Sequence, residues 1–579
     1  MSTRPVTTLA AVVVVAASFT ATPAAARADA AADADLILTN GNIRTPGGWA
    51  QSLAVRRGVI IDVGTTAEVS GHRGAQTQVI DLHGDTVLPG LHDMHIHPLH
   101  SGLGHVYSCN FPQGSGAQVV QSTVAACVAK RGKGEWIVGG QWDVASFGST
   151  TPHRKVLDTV SPDNPVVLAD ISGHSSLANS QALRLAGITR DTPDPQNGII
   201  ERDASGEPTG VLRESAAGLV RRLVPAYTAE QNIQGIRYSL ELTLAEGITS
   251  FTDADAGADA ESMRAFATIA DRGQLKQRVR GCIVYGGGPM FNAARAEFDP
   301  IEMRNLYARD RYKLDCVKII LDGVPTSGHT AAMVEDYADN SLQRSAALAK
   351  GITTFPQKAL DRIVTDLDRQ GLTVKFHAAG DAAVRTGLNA IEAARKANGF
   401  SGLLHDVGHN SFVQMSDIQR ARALGATLEF SPYIWYPNPI IPDIAKAIGP
   451  ARMERWIPVK DALDAGALVV PGSDWAVVPS VSPWIAIETL VTRQKPGGGG
   501  EVLGAPERIT LEQAFDMFTV NSAHQIGNAD QTGQIRKGLL ADLIVVDRNP
   551  FAIPVTDIHN VKVKTSLING EVVYQAPQH

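Results

Sequence analysis

Cysteine is scarce in this sequence. The chain of 579 residues holds four: Cys109, Cys127, Cys282 and Cys316. None are spaced Cys-x-x-Cys, so a thiolate metal knot or a thioredoxin-like redox pair is excluded. Four cysteines in so long a chain do not make a disulfide scaffold either, although an exported protein could pair Cys109 with Cys127. An excess of one charge is also missing. Lys and Arg total 52 against 59 Asp and Glu, a net −7 spread thinly over the length. A strongly basic nucleic-acid binder is thereby excluded, and nucleic acid is not an expected partner. Beyond the first thirty residues no apolar window approaches a membrane-spanning length, so no stable membrane span is expected once that segment is removed. What is present is apolar and punctuated. Hydrophobic residues make up 44% and charged residues 19%, with 54 glycines and 31 prolines. Such a chain builds a large core from many short strand–loop–helix units. Length alone allows about two to four domains, or one large barrel with additions.

The first residues read as a leader. Met-Ser-Thr-Arg-Pro carries one positive charge, residues 9–19 are apolar, and small residues follow with Ala-x-Ala spacings near Ala26–Ala30. This order is that of a secretory signal peptide over residues 1–30, with export to the periplasm or medium; an uncleaved anchor is the alternative.

Both ends of the remaining chain read as β. Ala34-Asp-Leu-Ile-Leu-Thr-Asn-Gly and Val561-Lys-Val-Lys-Thr-Ser-Leu-Ile-Asn-Gly-Glu-Val-Val-Tyr are strands broken by Asn-Gly, a hairpin signal. Neither end buries much on its own. The expectation is one small β-sandwich made from residues 34–88 and 531–579, with residues 89–530 inserted between them. That middle alternates strand runs (165–169, 316–321, 372–377, 468–472) with helical runs (229–245, 260–272, 360–370, 382–397, 511–521). Alternation of this kind is α/β, and the length suits a (β/α)8 TIM barrel with insertions.

The sharpest local signal is Leu88-Pro-Gly-Leu-His-Asp-Met-His-Ile-His-Pro98. His95 and His97 are two apart, so on a strand their imidazoles share a face, as a metal ion requires. Further polar residues end or interrupt apolar runs: Lys318, His377, His409 and Asp474. Lys318, inside Cys-Val-Lys-Ile-Ile-Leu, needs a partner or neutralisation. A lysine whose amine has reacted with CO2 would present a carbamate able to bridge two metals.

These strings resemble the amidohydrolase superfamily, and within it the amidohydrolase family 3 branch that includes N-substituted formamide deformylases. Pro89-Gly-Leu-His-Asp-Met-His-Ile-His is similar to the strand-1 motif. Trp136-Ile-Val-Gly-Gly-Gln-Trp-Asp, Gly173-His-Ser-Ser-Leu-Ala-Asn-Ser, Gly210-Val-Leu-Arg-Glu, Gly247-Ile-Thr-Ser, Lys318 with Asp322-Gly, His377-Ala-Ala-Gly-Asp and Gly472-Ser-Asp474 are similar to further motifs. Ile535-Arg-Lys-Gly-Leu-Leu-Ala-Asp-Leu-Ile-Val-Val-Asp is similar to the return into the sandwich. The resemblance implies a metal-bearing barrel, ligand roles for His95, His97, His377, His409 and Asp474, a carboxylated bridge at Lys318, and a catalytic base at the same Asp474. Two departures stand out. The branch usually has Arg-His-Arg-Ile-Glu-His where this chain has Leu404-His-Asp-Val-Gly-His409, so Gly408 takes the place of a glutamate and a contact beside the metal is missing or replaced. Thr252-Asp253 stands where His-Asp is usual.

Nitrogen and oxygen ligands without cysteine suit one or two Zn2+, with Mn2+, Fe2+, Co2+ or Ni2+ as alternatives. Such a site lowers the pKa of a bound water from about 15.7 to roughly 7. The expected reaction is hydrolysis of a C–N bond in a small amide, N-formyl and N-acyl amines included, with Asp474 moving the proton to the leaving nitrogen. His174 is a candidate substrate contact or a structural loop histidine; Trp142 is a candidate pocket wall or a core residue. Cyclic amides, carbamates or esters stay open as substrates, as does a homodimeric assembly. An inactive binding protein is the rival from another class. The run Gly497–Gly500 reads as an exposed connection or a lid.

Overall fold

The computed structural model describes residues 33–577 except 113, 143–146, 148–151, 171–174, 196–197, 257–259, 286–298, 327–328, 340–348, 433–439 and 476. The leader therefore lies outside the described residues, as does His174. Seven strands open the chain: β1 (Leu36–Thr39), β2 (Asn42–Thr45), β3 (Gly48–Ala50), β4 (Ser52–Arg56), β5 (Val59–Gly64), β6 (Gln78–Asp81) and β7 (Thr86–Pro89). The barrel's first strand follows at once as β8 (Leu91–Ile96). An excursion comes next, with β9 (Cys109–Asn110), β10 (Ile137–Trp142), β11 (Val166–Asp170), β12 (Ser175–Ala178), β13 (Gly198–Arg202) and β14 (Pro208–Glu214). The barrel resumes with β15 (Ile248–Ala256), β16 (Arg278–Val284), β17 (Tyr312–Ile320), β18 (Thr373–Ala378), β19 (Asp406–His409), β20 (Thr427–Phe430) and β21 (Leu468–Pro471). The chain ends in β22 (Leu543–Val546), β23 (Val563–Ile568) and β24 (Glu571–Gln575).

The two ends do fold together. One sheet runs β5-β4-β1-β6 and the other β24-β23-β22-β7-β2-β3. β7 lies antiparallel to β22, with Leu88 opposite Ile544 and Val87 opposite Val545. Their shared core joins Leu38, Leu53 and Val87 to Leu543, Val545 and Leu567. The two Asn-Gly turns behave differently. Asn569-Gly570 closes the β23–β24 hairpin with both residues at positive φ, as a tight two-residue turn requires. Asn40-Gly41 makes no hairpin, because β1 pairs with β4 and β6 whereas β2 pairs with β3 and β7. It is a corner that passes the chain from one sheet to the other.

The barrel is eight parallel strands in the order β21-β20-β19-β18-β17-β16-β15-β8. Closure comes from the pairing of Ile96 with Trp475, and from two backbone hydrogen bonds: Asp474 N–H to His95 O at 2.7 Å and His97 N–H to Trp475 O at 2.8 Å. Helices cover the outside where the 3.6-residue pattern places them. Ala229–Ala245 begins in a capping box, Thr228 with Gln231, and buries Ile233, Ile236, Leu240 and Leu244.

β9 to β14 form a sheet of their own, in the order β13-β14-β12-β11-β10-β9, inserted between barrel strands β8 and β15. The run 165–169 belongs to this sheet and not to the barrel. It looks like a barrel strand in sequence because it too is buried and parallel to its neighbour β10. Among the described residues no helix is long and apolar enough to cross a membrane.

All four cysteines are bonded. Cys109–Cys127 ties β9 to the helix Ala117–Val128, and Cys282–Cys316 staples the neighbouring barrel strands β16 and β17 at one register position. Closing a loop of this size should contribute about 2–4 kcal/mol. The double variant Cys282→Ala/Cys316→Ala is expected to keep its circular dichroism and lower its thermal midpoint. An unchanged midpoint would show that the staple adds nothing to the packed sheet.

Candidate metal centre

The closing seam of the barrel is where the chemistry collects. His95 ends β8 and His97 follows it, so both rings project at the C-terminal mouth, with centroids 5.4 Å apart. Asp474 arrives from the other side of the seam, just past β21. Its Oδ1 lies 3.1 Å from His97 Nε2 and 3.6 Å from His95 Nε2, and its Oδ2 lies 3.9 Å from His409 Nδ1. The ring of His409 sits 4.6 Å from that of His95 and 4.3 Å from that of His377. Lys318, inside β17, puts Nζ 3.1 Å from His95 Nε2. The six residues expected from the sequence thus meet in one place.

Local structure explains the aim of each side chain. His409 and Asp474 both take left-handed backbone angles, φ 73° and 58°, which cost a non-glycine residue of order 1 kcal/mol. His409 ends β19, and Asp474 lies three residues past the end of β21. Asp322, at the end of β17, accepts the backbone N–H groups of Ala379 and Gly380, which follow His377, and that of Ala332. It thereby pins the turn that carries His377, and burial raises its own pKa to about 7. Asp93 does the same at the seam, accepting N–H from His95 and Ser473, with its pKa raised to about 7, chiefly by burial.

The electrostatics favour neutral imidazoles. Burial first, then the positive charge of Lys318, pushes His377 down to about 4 and His95 well below the ordinary histidine value. His409 is likewise lowered, by burial and by its histidine neighbours. Neutral rings keep a lone pair for a cation. The Nε2 of His409 is buried and has no hydrogen-bond partner among the described residues. Ligand atoms of His95, His409 and Asp474 lie within 4.8 Å of one another. A buried, orphaned imidazole nitrogen on a histidine whose ring lies beside a carboxylate and two further imidazoles fits a divalent cation of borderline hardness.

Beneath these ligands lies a charged layer that the motifs did not indicate. Glu429 on β20 stands 2.6 Å from His95 Nδ1 and accepts from Lys375 Nζ at 2.9 Å; Lys375 also donates to Asp406 at 2.6 Å. All three are buried. Two sequence signals pointed here: Lys375 lies two residues before His377 on one strand face, and Glu429 interrupts the apolar run Thr-Leu-Glu-Phe. Trp142, by contrast, is no pocket wall. It is 1% exposed in the core of the inserted sheet, and its indole N–H donates to Leu168 O.

The model of the amidohydrolase family matches residues 78–574. This chain belongs to the amidohydrolase family. Among its relatives, the N-substituted formamide deformylase of Arthrobacter pascens is 27% identical over 93% of this chain and 98% of the deformylase. The protein LONG AFTER FAR-RED 3 of Arabidopsis thaliana is 28% identical over 93% of this chain and 92% of its own. A metal-dependent hydrolase of Pyrococcus horikoshii shares the fold with a TM-score of 0.70 at 22% identity, over 90% of this chain and 99% of that one. The motifs read from sequence thus carry the family correctly. Three of the quoted strings, around residues 136–143, 173–180 and 210–214, fall in and around the inserted sheet.

The neutral imidazoles set a pH dependence for this amidohydrolase. Below about pH 6.5 an unfolded chain protonates its histidines. The folded site refuses protons at His95 and His409 well below that value, and at His377 until about 4. The unfolded state therefore binds more protons in this window, and stability falls as pH drops through it. Metal-free protein should show urea midpoints that decline between pH 6.5 and 4, with a shallower decline in His409→Gln.

Proposed function

We propose that this amidohydrolase is an exported hydrolase of C–N bonds, acting on a small N-acyl amine, N-formyl amines included, with one or two divalent ions, Zn2+ first. The observation that carries this reading is the placement of Asp474: one carboxylate within 3.1–3.9 Å of three imidazoles, at the open end of the barrel. When bound, a divalent ion supplies Lewis acidity toward a carbonyl oxygen and lowers the pKa of a water to about 7.

The chain's own residues do the rest. His95, His97, His377 and His409 would hold the ion. Lys318 supplies a further ligand. Burial and the neighbouring Lys375 lower its pKa to about 8, which leaves some of the amine unprotonated at neutral pH. An unprotonated amine adds CO2 and loses one proton, and the resulting carbamate offers two oxygens. Asp474 takes the proton of the attacking water at Oδ2 and delivers it to the departing nitrogen, which an amide needs because a bare amide anion leaves poorly. The nearly full-length likeness to a formamide deformylase supports a C–N bond as the target. Export is supported by the leader-like residues 1–30 and by the pairing of every cysteine, which an oxidising compartment permits. The substrate contact assigned to His174 belongs to this same proposal.

The reading is tested on the purified protein with a panel of N-formyl amines, N-acetyl amines, cyclic imides and aryl esters. Hydrolysis of the linear amides, abolished by chelator and restored by Zn2+, is the expected result. Ester turnover alone would redirect the reading to another bond. Asp474→Asn should retain its metal and lose about 10²–10⁴-fold in kcat; undiminished turnover would remove Asp474 from proton transfer.

A further inference from the structure

We infer that Glu429 is the positioning carboxylate of the metal centre, presenting both His95 and His409, and that Gly408 and Gly472 are glycine to make room for it. The inference rests on the reading of those two histidines as metal ligands. Its basis is a short chain of contacts. Glu429 Oε2 stands 2.6 Å from His95 Nδ1. A carboxylate beside an imidazole fixes the proton on the nearer nitrogen, so His95 carries Nδ1–H and turns Nε2 toward Asp474 and Lys318. The other oxygen, Oε1, accepts the hydroxyl proton of Ser431 at 3.3 Å. Ser431 Oγ, having donated its only proton, is an acceptor toward His409 Nδ1, also at 3.3 Å. His409 therefore carries Nδ1–H as well and frees Nε2, the buried nitrogen with no partner among the described residues. One side chain sets two tautomers.

Glu429 is itself held. Lys375 Nζ donates to it at 2.9 Å and to Asp406 at 2.6 Å, so the negative charge is balanced inside the barrel. The space around it is reserved on both sides. A Cβ on Gly408 would lie 2.6 Å from Oε2, and a Cβ on Gly472 would lie 2.6 Å from Oε1 and 2.4 Å from His95 Cβ. Any side chain at either position would displace the carboxylate or the ligand. At Gly408 that Cβ would also lie 2.8 Å from the carbonyl oxygen of Phe376, so the backbone closes the same space.

The test uses the whole protein and reads metal binding as well as turnover. Zn2+ affinity is measured by chelator competition, and the visible spectrum of the Co2+-loaded protein reports ligand geometry. Glu429→Ala should loosen Zn2+ by about 10–100-fold and alter the Co2+ spectrum. Glu429→Gln, whose amide oxygen still accepts Nδ1–H, should loosen it less. A Glu429→Ala protein with a lowered thermal midpoint but wild-type Zn2+ affinity and Co2+ spectrum would reduce Glu429 to a packing charge. Should the alanine variant not fold, Ser431→Ala carries the test, because it cuts the link from Glu429 to His409; wild-type Zn2+ affinity and Co2+ spectrum in that variant would overturn the inference. Wild-type protein that takes up no Zn2+ would instead overturn the metal reading beneath it.

Discussion

Everything at the functional end of this molecule depends on how the barrel closes. Eight parallel strands form a curved sheet whose first and last members must still be joined, and the joining is done by backbone groups of the reactive residues themselves. The N–H of Asp474 binds the carbonyl of His95, and the N–H of His97 binds the carbonyl of Trp475. Closure and assembly of the site are thus one event. The side chains of His95, His97 and Asp474 are brought within contact because their own main chains form the seam. Asp474 holds a left-handed backbone angle to do so, a local cost the surrounding sheet sustains.

The interior below the seam is charged, which is unusual for a barrel core and costly without pairing. Here the charges are paired by hydrogen bonds. Lys375 faces two carboxylates, Asp406 and Glu429, while Lys318 beside it in register faces imidazole. The contrast separates two lysines that look alike in sequence. Lys375, held by both acids, has its pKa raised although burial alone would lower it; Lys318 has its pKa lowered by burial and by that same Lys375. One is a counter-charge to two acids, and the other gives up its proton more readily than an ordinary lysine.

Much of this was legible in the residues. The period-two spacing of His95 and His97, the placement of Lys318 inside an apolar run and that of His377, His409 and Asp474 at the ends of such runs are one-dimensional signals, and all six converge. The helix at 229–245 was equally plain, because its apolar spacing and its Thr-x-x-Gln start agree. Other features were not legible, for physical reasons. Asn40-Gly41 has the chemistry of a hairpin, yet which strands a turn joins is settled by distant pairing. The run 165–169 is apolar on both faces in the inserted sheet just as a barrel strand would be, so periodicity could not assign it. Trp142 carries a polar N–H that suits a pocket, but the carbonyl of Leu168 satisfies it inside a core. Glu429 was hidden because its partner His95 is more than three hundred positions away. Gly408 hinted at it only as a contact missing or replaced, and the carboxylate beside His95 stands on the next strand.

The pairing of β7 with β22 has a consequence for how the protein comes into being. The strand that leads directly into His95 pairs early with β2, but it cannot find its second sheet partner, β22, until nearly all of the chain has been made. Contacts of such sequence separation form late and slowly. A chain exported unfolded would keep β7 and β8 waiting throughout synthesis and passage, and would finish its clasp only on the far side. The site could then take up its ion only after arrival, from whatever metals that compartment holds. Which metal the enzyme carries would follow from where it folds as well as from the ligands that grip it.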